Sequence, residues 1–501
     1  MAHDPARIPV IVGVGQVNDR PATPEAGLDP LGLMQAALGA ADRDGGGGWI
    51  ARVESLALVD QISFRELGDL SAPLAEALGI TPKLCYKTAY ASGDSPIRLL
   101  NEAAQRIASG EITTAAVVGG EALRTAAQRA AAAAGGSASD HNIMRQGANR
   151  APPSLRQRYS LLVPVDVYPL YENAGRAAYG QTLAEAQAES GGIWSLFSEV
   201  AAKNPGAWIH KPVSPEAIVT PSADNRPIAF PYNKLMVANS SVNQGAGFIL
   251  TSLAAARGAG VDEHRLIYVG AGAAAHEPNN VLERDRYDRS PSMGVSIESA
   301  LSLNGLAASE VDQVELYSCF PCVPKMARRI LDWPADRPAS VFGGLTFGGG
   351  PIGNYMSHAV VSMVLALRER GRTGLLFANG GICTTNHTIV LGRTPFAPET
   401  VLQSFDVQAE ADARRGPAPP LDETYVGPGV VETYTVFYER DGSPRFGTIV
   451  GRGPEGQRFL AKVPAVDTAG IAFLTDGKLE PVGAGGEASV GDDKAERIWR
   501  R

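Results

Sequence analysis

Cysteine is scarce in this chain: four in 501 residues, at Cys85, Cys319, Cys322 and Cys383. They are too few and too scattered for a disulfide framework, and they suit a reducing compartment. Positive charge is not in excess either. Lys and Arg number 45 against 53 Asp and Glu, a formal charge of −8, so no general basic surface exists to attract a phosphate backbone and nucleic acid is not an expected partner. Long apolar runs are missing, since no stretch reaches the ~18 residues of a spanning helix. The start, Met-Ala-His-Asp-Pro, lacks the charged and apolar regions of a signal peptide, which leads to the expectation of a cytoplasmic protein with no membrane partner. No His, Asp and Glu cluster has metal-ligand spacing, so no metal is expected. What the chain has in quantity is glycine, 56 residues, many of them clustered. A composition of 44% hydrophobic and 20% charged residues suits a globular chain of about three domains.

Apolar runs and glycines repeat at long range. Residues 8–16 (IPVIVGVGQ) and 266–274 (LIYVGAGAA) both read as buried strands ending in a Gly-x-Gly turn. Each is followed by a helical pattern, Pro30–Ala41 and Met293–Leu303. Next come Val53–Asp60 and Val311–Ser318, then the long Ala/Leu/Val-rich helices Ser95–Ser109 and Met356–Glu369. These lead into Thr113–Gly120 and Thr373–Gly381. The first two strands lie about 45 residues apart in both halves, and the second and last about 60. Strands alternating with helices predict an α/β fold with covered sheets, and the repeat predicts two pseudo-twofold halves. The Gly13-Val14-Gly15 turn lacks the third glycine and ribose-binding acid of a dinucleotide site.

From Arg124 to about Met236 the repeat is interrupted by an Ala-rich helix (Arg129–Ala134), a Gly/Ser break and a stretch rich in Pro, Tyr and Trp. Such an excursion usually shapes a ligand site, and Gly245–Ser252 returns from it as a last strand. Beyond Arg393 a Pro- and acid-rich linker leads to Val430–Arg440, Phe446–Val450, Arg458–Val463 and Ile471–Leu474. These read as short strands of a small antiparallel barrel. Residues 397–501 hold 12 Lys and Arg against 17 Asp and Glu, five net negative charges, which disfavours oligonucleotides. The barrel is expected to serve structure or partner docking, with a lid over a ligand as the alternative. The divisions are 1–124 with 236–260 as the first half, 125–235 as a loop domain, 261–395 as the second half, 396–424 as linker and 425–501 as barrel.

Two Gly-rich turns open the long helices at equivalent places: Thr88-Ala89-Tyr90-Ala91-Ser92-Gly93 and Phe347-Gly348-Gly349-Gly350-Pro351-Ile352-Gly353-Asn354. Helix N-termini brought to one cleft can hold a carbonyl oxygen or phosphate. With these turns in place, residues 5–395 resemble the thiolase superfamily, and within it the sterol-carrier-protein-type thiolases and thiolase-like type 1 proteins. The resemblance implies a duplicated thiolase fold of two βαβαβαββ halves, layered α-β-α-β-α, with the barrel appended. It also implies a cleft for a CoA thioester, with no cofactor bound.

The family's chemistry uses a nucleophilic Cys in a Cys-Ala-Ser-Gly turn, a His in a Gly-His-Pro turn, a His-Asp-Cys-Phe motif at an oxyanion hole, and an acid/base Cys in a Gly-rich loop. Ala91-Ser92-Gly93 is retained here, with Tyr90 at the nucleophile position. Gly349 and Pro351 flank Gly350, which stands for the His. Glu315-Leu316-Tyr317-Ser318-Cys319-Phe320 matches the third motif with Tyr317 for His and Ser318 for Asp. Ala378-Asn379-Gly380-Gly381-Ile382-Cys383 keeps its glycines, with Phe377 at the Cys position. A phenol of ordinary pKa is a poor acyl acceptor and Gly350 takes no proton, so little or no ordinary thiolase activity is expected. Backbone near Tyr90, Gly93, Gly349, Gly380 and Gly381 remains available for an oxyanion hole.

Other residues could replace the lost set. Cys383 with His387 is either a new nucleophile and base or a buried pair with structural roles. Cys319-x-x-Cys322 lacks a thioredoxin-like setting, and Cys85 reads as part of a buried strand. Tyr90, Tyr317 and Tyr355 could serve a retro-aldol reaction if a helix N-terminus lowered a phenol's pKa, or they could fill space. His358, three residues past Tyr355, shares a helical face with it, or packs on the sheet or reaches solvent; His276-Glu277 ends a strand. The resemblance implies an acyl-CoA-binding, acyltransferase-like protein of lipid metabolism. The alternatives are a retro-aldolase or thioesterase using Tyr or Cys383, and a non-catalytic scaffold with a protein partner at the barrel. A monomer is expected, a dimer through the first half's sheet edge being the alternative.

Overall fold

The computed structural model describes residues 3–134 and 154–501; Met1, Ala2 and the Gly/Ser break after Ala134 lie outside them. The first half supplies β1 (Pro9–Asn18), β2 (Ser55–Leu58), β3 (Leu84–Lys87) and β4 (Thr114–Glu121). The excursion adds the short β5 (Pro227–Ala229) and β6 (Tyr232–Asn233), and β7 (Gln244–Ser252) returns to the half. The second half contributes β8 (Ile267–His276), β9 (Gln313–Leu316), β10 (Thr373–Gly380) and β11 (Thr385–Gly392). Nine of these strands are ordered β3-β2-β4-β7-β1-β8-β11-β10-β9. The half-sheets meet where Val10 and Ile11 pair antiparallel with Tyr268 and Ile267. Outward from that seam each half has the same sequence of pairings, two antiparallel and then one parallel.

The duplication is therefore present in hydrogen-bonded detail, with one difference. The second half has four strands, without a counterpart of β3. Its corresponding stretch carries positive φ at Gly343, Gly344 and Gly349 and forms a π-helical turn, Gly344–Gly348, which cannot lie as an extended strand. Helices Ser95–Ser109 and Tyr355–Glu369 lie between the half-sheets. Pro96 sits in the first turn of the former and Gly110, at φ 79°, ends it. Its buried Ile97, Leu100, Ala104 and Ile107 recur at helical spacing. Pro30–Asp44 covers the outer face of the first half and Pro291–Leu303 that of the second, giving α-β-α-β-α layers.

Cys85 is exposed on β3, the edge strand, and not on a buried strand as its apolar neighbours suggest. The edge leaves one side of β3 uncovered. The excursion folds as helices Pro164–Ala178 and Leu183–Lys203 with shorter pieces around them. Thr182 and Glu185 form a reciprocal capping box that starts the longer helix.

The C-terminal strands are β12 (Gly427–Tyr438), β13 (Pro444–Arg452), β14 (Arg458–Pro464), β15 (Gly485–Val490) and β16 (Arg497–Arg500). They run β13-β14-β16-β15-β12, and β12 closes the barrel on β13. Two expectations are corrected. Ile471–Leu474 is not a strand but part of the helix Thr468–Thr475, capped where Asp467 accepts from the Gly470 N–H; Ile471 and Leu474 face the barrel core at helical spacing. The barrel is also not wholly antiparallel, because β14 and β16 pair in parallel at Lys462 and Ile498. That strand order, with the helix between third and fourth strands, is the OB-fold arrangement.

The barrel is bound to the excursion. β5 joins β12 at Ala229 and Phe437. On the Pro164 helix, Thr433 Oγ1 donates to the Leu170 carbonyl at 2.6 Å and Asn173 Nδ2 donates to the Tyr434 carbonyl at 2.9 Å. Arg458 is fully buried; it pairs with Glu432 at 2.6 Å and donates to the carbonyls of Leu282 and Arg284. The barrel thus braces a helix whose far end reaches the cavity described next.

Candidate functional site

A cavity of about 490 Å³ lies where the turns of both halves meet under the excursion. Ser92 and Gly93 come from the turn before the Ser95 helix, Tyr317 and Cys319 from the turn after β9, Gly350 from the second glycine turn, and Asn379, Gly380 and Gly381 from the end of β10. Pro164, Val165 and Tyr168 of the excursion form another wall. Five expected site residues, Tyr317, Gly350, Gly93, Gly380 and Gly381, are therefore brought together.

Three are placed elsewhere. Tyr90 is 64% exposed and lines a separate groove with Lys87 and Arg98, and the Thr88 hydroxyl donates to its carbonyl. Cys383 is fully buried behind the wall. Gly349, at φ 102°, packs against the Gln244 amide, where an added Cβ would stand 2.1 Å from Oε1.

Tyr317 is nearly buried, and its hydroxyl makes no hydrogen bond among the described residues. Gly93 is required beside it: a Cβ there would fall 2.4 Å from the Tyr317 hydroxyl and 2.2 Å from the Asn379 carbonyl oxygen. Burial, with the charge of Asp94 nearby, pushes the Tyr317 phenol well above its ordinary value. Tyr355 is pushed the same way by burial and by Glu315. Neither phenol is lowered by a helix N-terminus.

Tyr355 lies outside the cavity, donating to Glu315 Oε1 at 2.5 Å. Glu315 also accepts from Ser340 Oγ and the Val341 N–H, each at 2.9 Å, yet burial raises its pKa to about 7. The unfolded carboxyl titrates near 4.5, so the folded state holds an extra proton between those values. Glu315 therefore favours folding at low pH, and this contribution is lost as pH rises through about 7. On replacing Glu315→Gln, the melting temperature relative to wild type is expected to increase between pH 5 and pH 8; a difference that stays constant would contradict the buried carboxyl.

Tyr168, which sequence reasoning missed, holds the Gly-rich loop. Its hydroxyl donates to Asn379 Oδ1 at 2.7 Å and accepts from the Cys383 N–H at 2.7 Å, and its ring stacks on Phe320 at 4.5 Å. Arg284 donates to the carbonyls of Ile382 and Cys383, which holds Cys383 at φ 53°. From Asn379 a buried chain runs through Asn386 and Ser292 to Glu277, which Arg415 meets at 2.9 Å.

Burial raises the Cys383 thiol to about 11 and pushes Cys319 up as well. His387 does not serve Cys383: it lies on β11, 3.1 Å from the Asn101 amide and stacked on Phe405, with its pKa lowered by burial to about 4. His358 is buried against β1, its Nδ1 2.9 Å from Gln16 Oε1, and stacks on Phe342. Phe377 is wholly buried off the cavity. All four cysteines are free. Among the described residues no group of His, Cys, Asp and Glu could hold a metal, and no helix is long and apolar enough to cross a membrane.

Paired halves, two central helices and a cleft at their Gly-rich turns define a protein of the thiolase fold. The solved human mitochondrial 3-ketoacyl-CoA thiolase in complex with CoA shares it at a TM-score of 0.56, with 15% identity, covering 78% of this chain and 100% of that one. A structure described as the Ltp2-ChsH2(DUF35) aldolase matches at 0.58 with 18% identity, over 78% of this chain and 98% of the other. A monomeric SCP2-thiolase like protein type 1 from Mycobacterium smegmatis matches over 100% of both chains, with 30% identity and a TM-score of 0.80. Residues 406–495 match the thiolase-like protein type 1 additional C-terminal domain. The chain belongs to the SCP2-thiolase-like protein type 1 family. No curated protein matches it.

Proposed function

We propose that the chain binds an acyl-CoA-like thioester in the 490 Å³ cavity and does not carry out ordinary thiolase chemistry. One observation carries the reading: the lining contains no His, Asp, Glu, Lys or Arg among the described residues. Thiolysis and Claisen condensation need a thiolate nucleophile and a base. Cys319 is the one lining thiol, and burial keeps its proton on. Tyr317 as a retro-aldol base would have to lose a proton that burial also retains. Cys383 as a thioesterase nucleophile stands off the cavity. The remaining polar groups, hydroxyls and backbone N–H groups, suit holding a carbonyl oxygen.

The reading includes a monomer acting in cytoplasmic lipid metabolism, with the barrel bracing the cavity wall. Thermal shift with acyl-CoA esters, steroid-CoA esters and free CoA tests the proposal. A ligand at 100 times its Kd should add about 2.7 kcal/mol of stability. No shift with any CoA ester would reject binding and favour the scaffold. Cleavage of acetoacetyl-CoA by free CoA within about tenfold of a true thiolase would reject the absence of chemistry.

A further inference from the structure

The cavity has no cation to meet an anion, and it has an anion already behind its wall. An added Cβ on Gly380, which lines the cavity, would stand 2.6 Å from Asp94 Oδ1. The lining residue Ser92 donates its hydroxyl to the same carboxylate, and Thr385 Oγ1 does so at 2.6 Å. Asp94 also stands at the N-terminus of the Ser95 helix, so the partial positive charge there is met by the protein's own carboxylate. Much of the remaining wall is apolar, including Val165, Ile228, Val237 and Leu345. A ligand carboxylate would lose its water, find no countercharge among the lining residues and lie close to Asp94 behind the wall, with Arg98 set on the groove side of Asp94 and off the cavity.

An uncharged carbonyl finds partners. The Tyr317 hydroxyl opens on the cavity unpaired, and the N–H groups of Gly93 and Gly381 make no hydrogen bond among the described residues. We propose that the cavity selects uncharged apolar acyl groups over acids of equal length, with Tyr317 donating to the acyl carbonyl and Asp94 repelling carboxylates. This rests on the thioester reading for the CoA portion alone, because the acyl selection depends only on the cavity walls.

The test uses two matched pairs by calorimetry at pH 8: hexanoyl-CoA against adipoyl-CoA, and methyl hexanoate against hexanoate. In each pair the uncharged acyl group is expected to bind about 100-fold more tightly, and Asp94→Asn to narrow the gap about tenfold. Tyr317→Phe should weaken methyl hexanoate about tenfold while leaving hexane binding unchanged, a split that a purely structural role would not give. If methyl hexanoate follows the expectation and neither CoA ester binds, the thioester reading fails and the selection stands. Equal affinity for ester and acid overturns the selection, and unchanged ester affinity in Tyr317→Phe overturns the role of that hydroxyl.

Discussion

Gly13→Ala is expected to destabilise the folded chain by about 3 kcal/mol or more, near or beyond the upper end of ordinary overpacking. The added Cβ would lie 2.1 Å from the Ala41 carbonyl oxygen and 3.1 Å from both the Ala41 carbonyl carbon and the Gly45 nitrogen. These are backbone atoms of the Pro30–Asp44 helix and its C-cap, so no side chain can rotate away. The helix must lift from β1, opening the packing of its Met34, Ala37 and Leu38 with Val10 and Val12. Thermal melts followed by circular dichroism should register this, with Gly294→Ala as the control. Gly294 lies within Pro291–Leu303 with nothing within 4 Å of an added Cβ, so that variant should be neutral or gain up to about 1 kcal/mol. A Gly13→Ala protein that melts with wild type would reject close helix–strand packing as the reason for the glycine. Gly270 in β8 should cost less, because its added Cβ meets the Asn304 side chain at 2.4 Å and backbone only at 3.1 Å, whereas at Gly272 the Thr388 carbonyl oxygen would also stand 2.9 Å away.

The same Gly-x-Gly pair shows why the duplication could be read directly. Strands buried on both faces form nearly unbroken apolar runs, and the glycines that let a helix approach them are visible as residue types. The order β2-β4-β7-β1 is matched by β9-β10-β11-β8, and the repeated runs stand at equivalent places in it as β1 and β8, β2 and β9, and β4 and β10. The missing counterpart of β3 was less legible: glycine at 343, 344 and 349 announces a turn without showing that a strand is lost. Ile471–Leu474 failed for another reason, since four apolar residues are too few to separate helical from alternating periodicity. Cys85 failed because edge and central strands can share composition while only pairing determines exposure.

Site residues carried by Gly-rich turns were legible in proportion to the backbone constraint. Gly93, Gly380 and Gly381 must be glycine or nearly so because a carbonyl, a hydroxyl or a positive φ excludes more. Tyr90 was misplaced, although its turn was correct, since neighbouring residues on a turn point in different directions. Tyr168 had no local signal beyond a Tyr-rich helix, because its partners Asn379 and Cys383 are more than two hundred residues away. The uncharged character of the cavity also depends on which side chains face it, and spacing alone does not supply that.

Lys325→Met is expected to cost about 3–5 kcal/mol by leaving Glu172 buried without its countercharge. Both side chains are 3% exposed, with Nζ and Oε1 2.5 Å apart. Lys325 also donates to the Ala186 carbonyl at 2.9 Å, and the Tyr232 hydroxyl donates to Glu172 Oε2 at 2.9 Å. One ion pair therefore ties the Pro164 and Leu183 helices to the helix Cys322–Ile330, which carries Lys325. Replacing Glu172→Gln together with Lys325→Met removes both charges and leaves Tyr232 an acceptor, so the double variant should recover most of the loss. Additive costs in the double variant would show that packing, not the orphaned charge, was responsible. The effect should reach the cavity, because Glu172 lies one helical turn from Tyr168, which holds Asn379. In Lys325→Met the gain in melting temperature from a saturating acyl ligand should shrink, and in the double variant it should return. A full ligand gain retained by the destabilised single variant would separate the wall carried by the Pro164 helix from the binding energy.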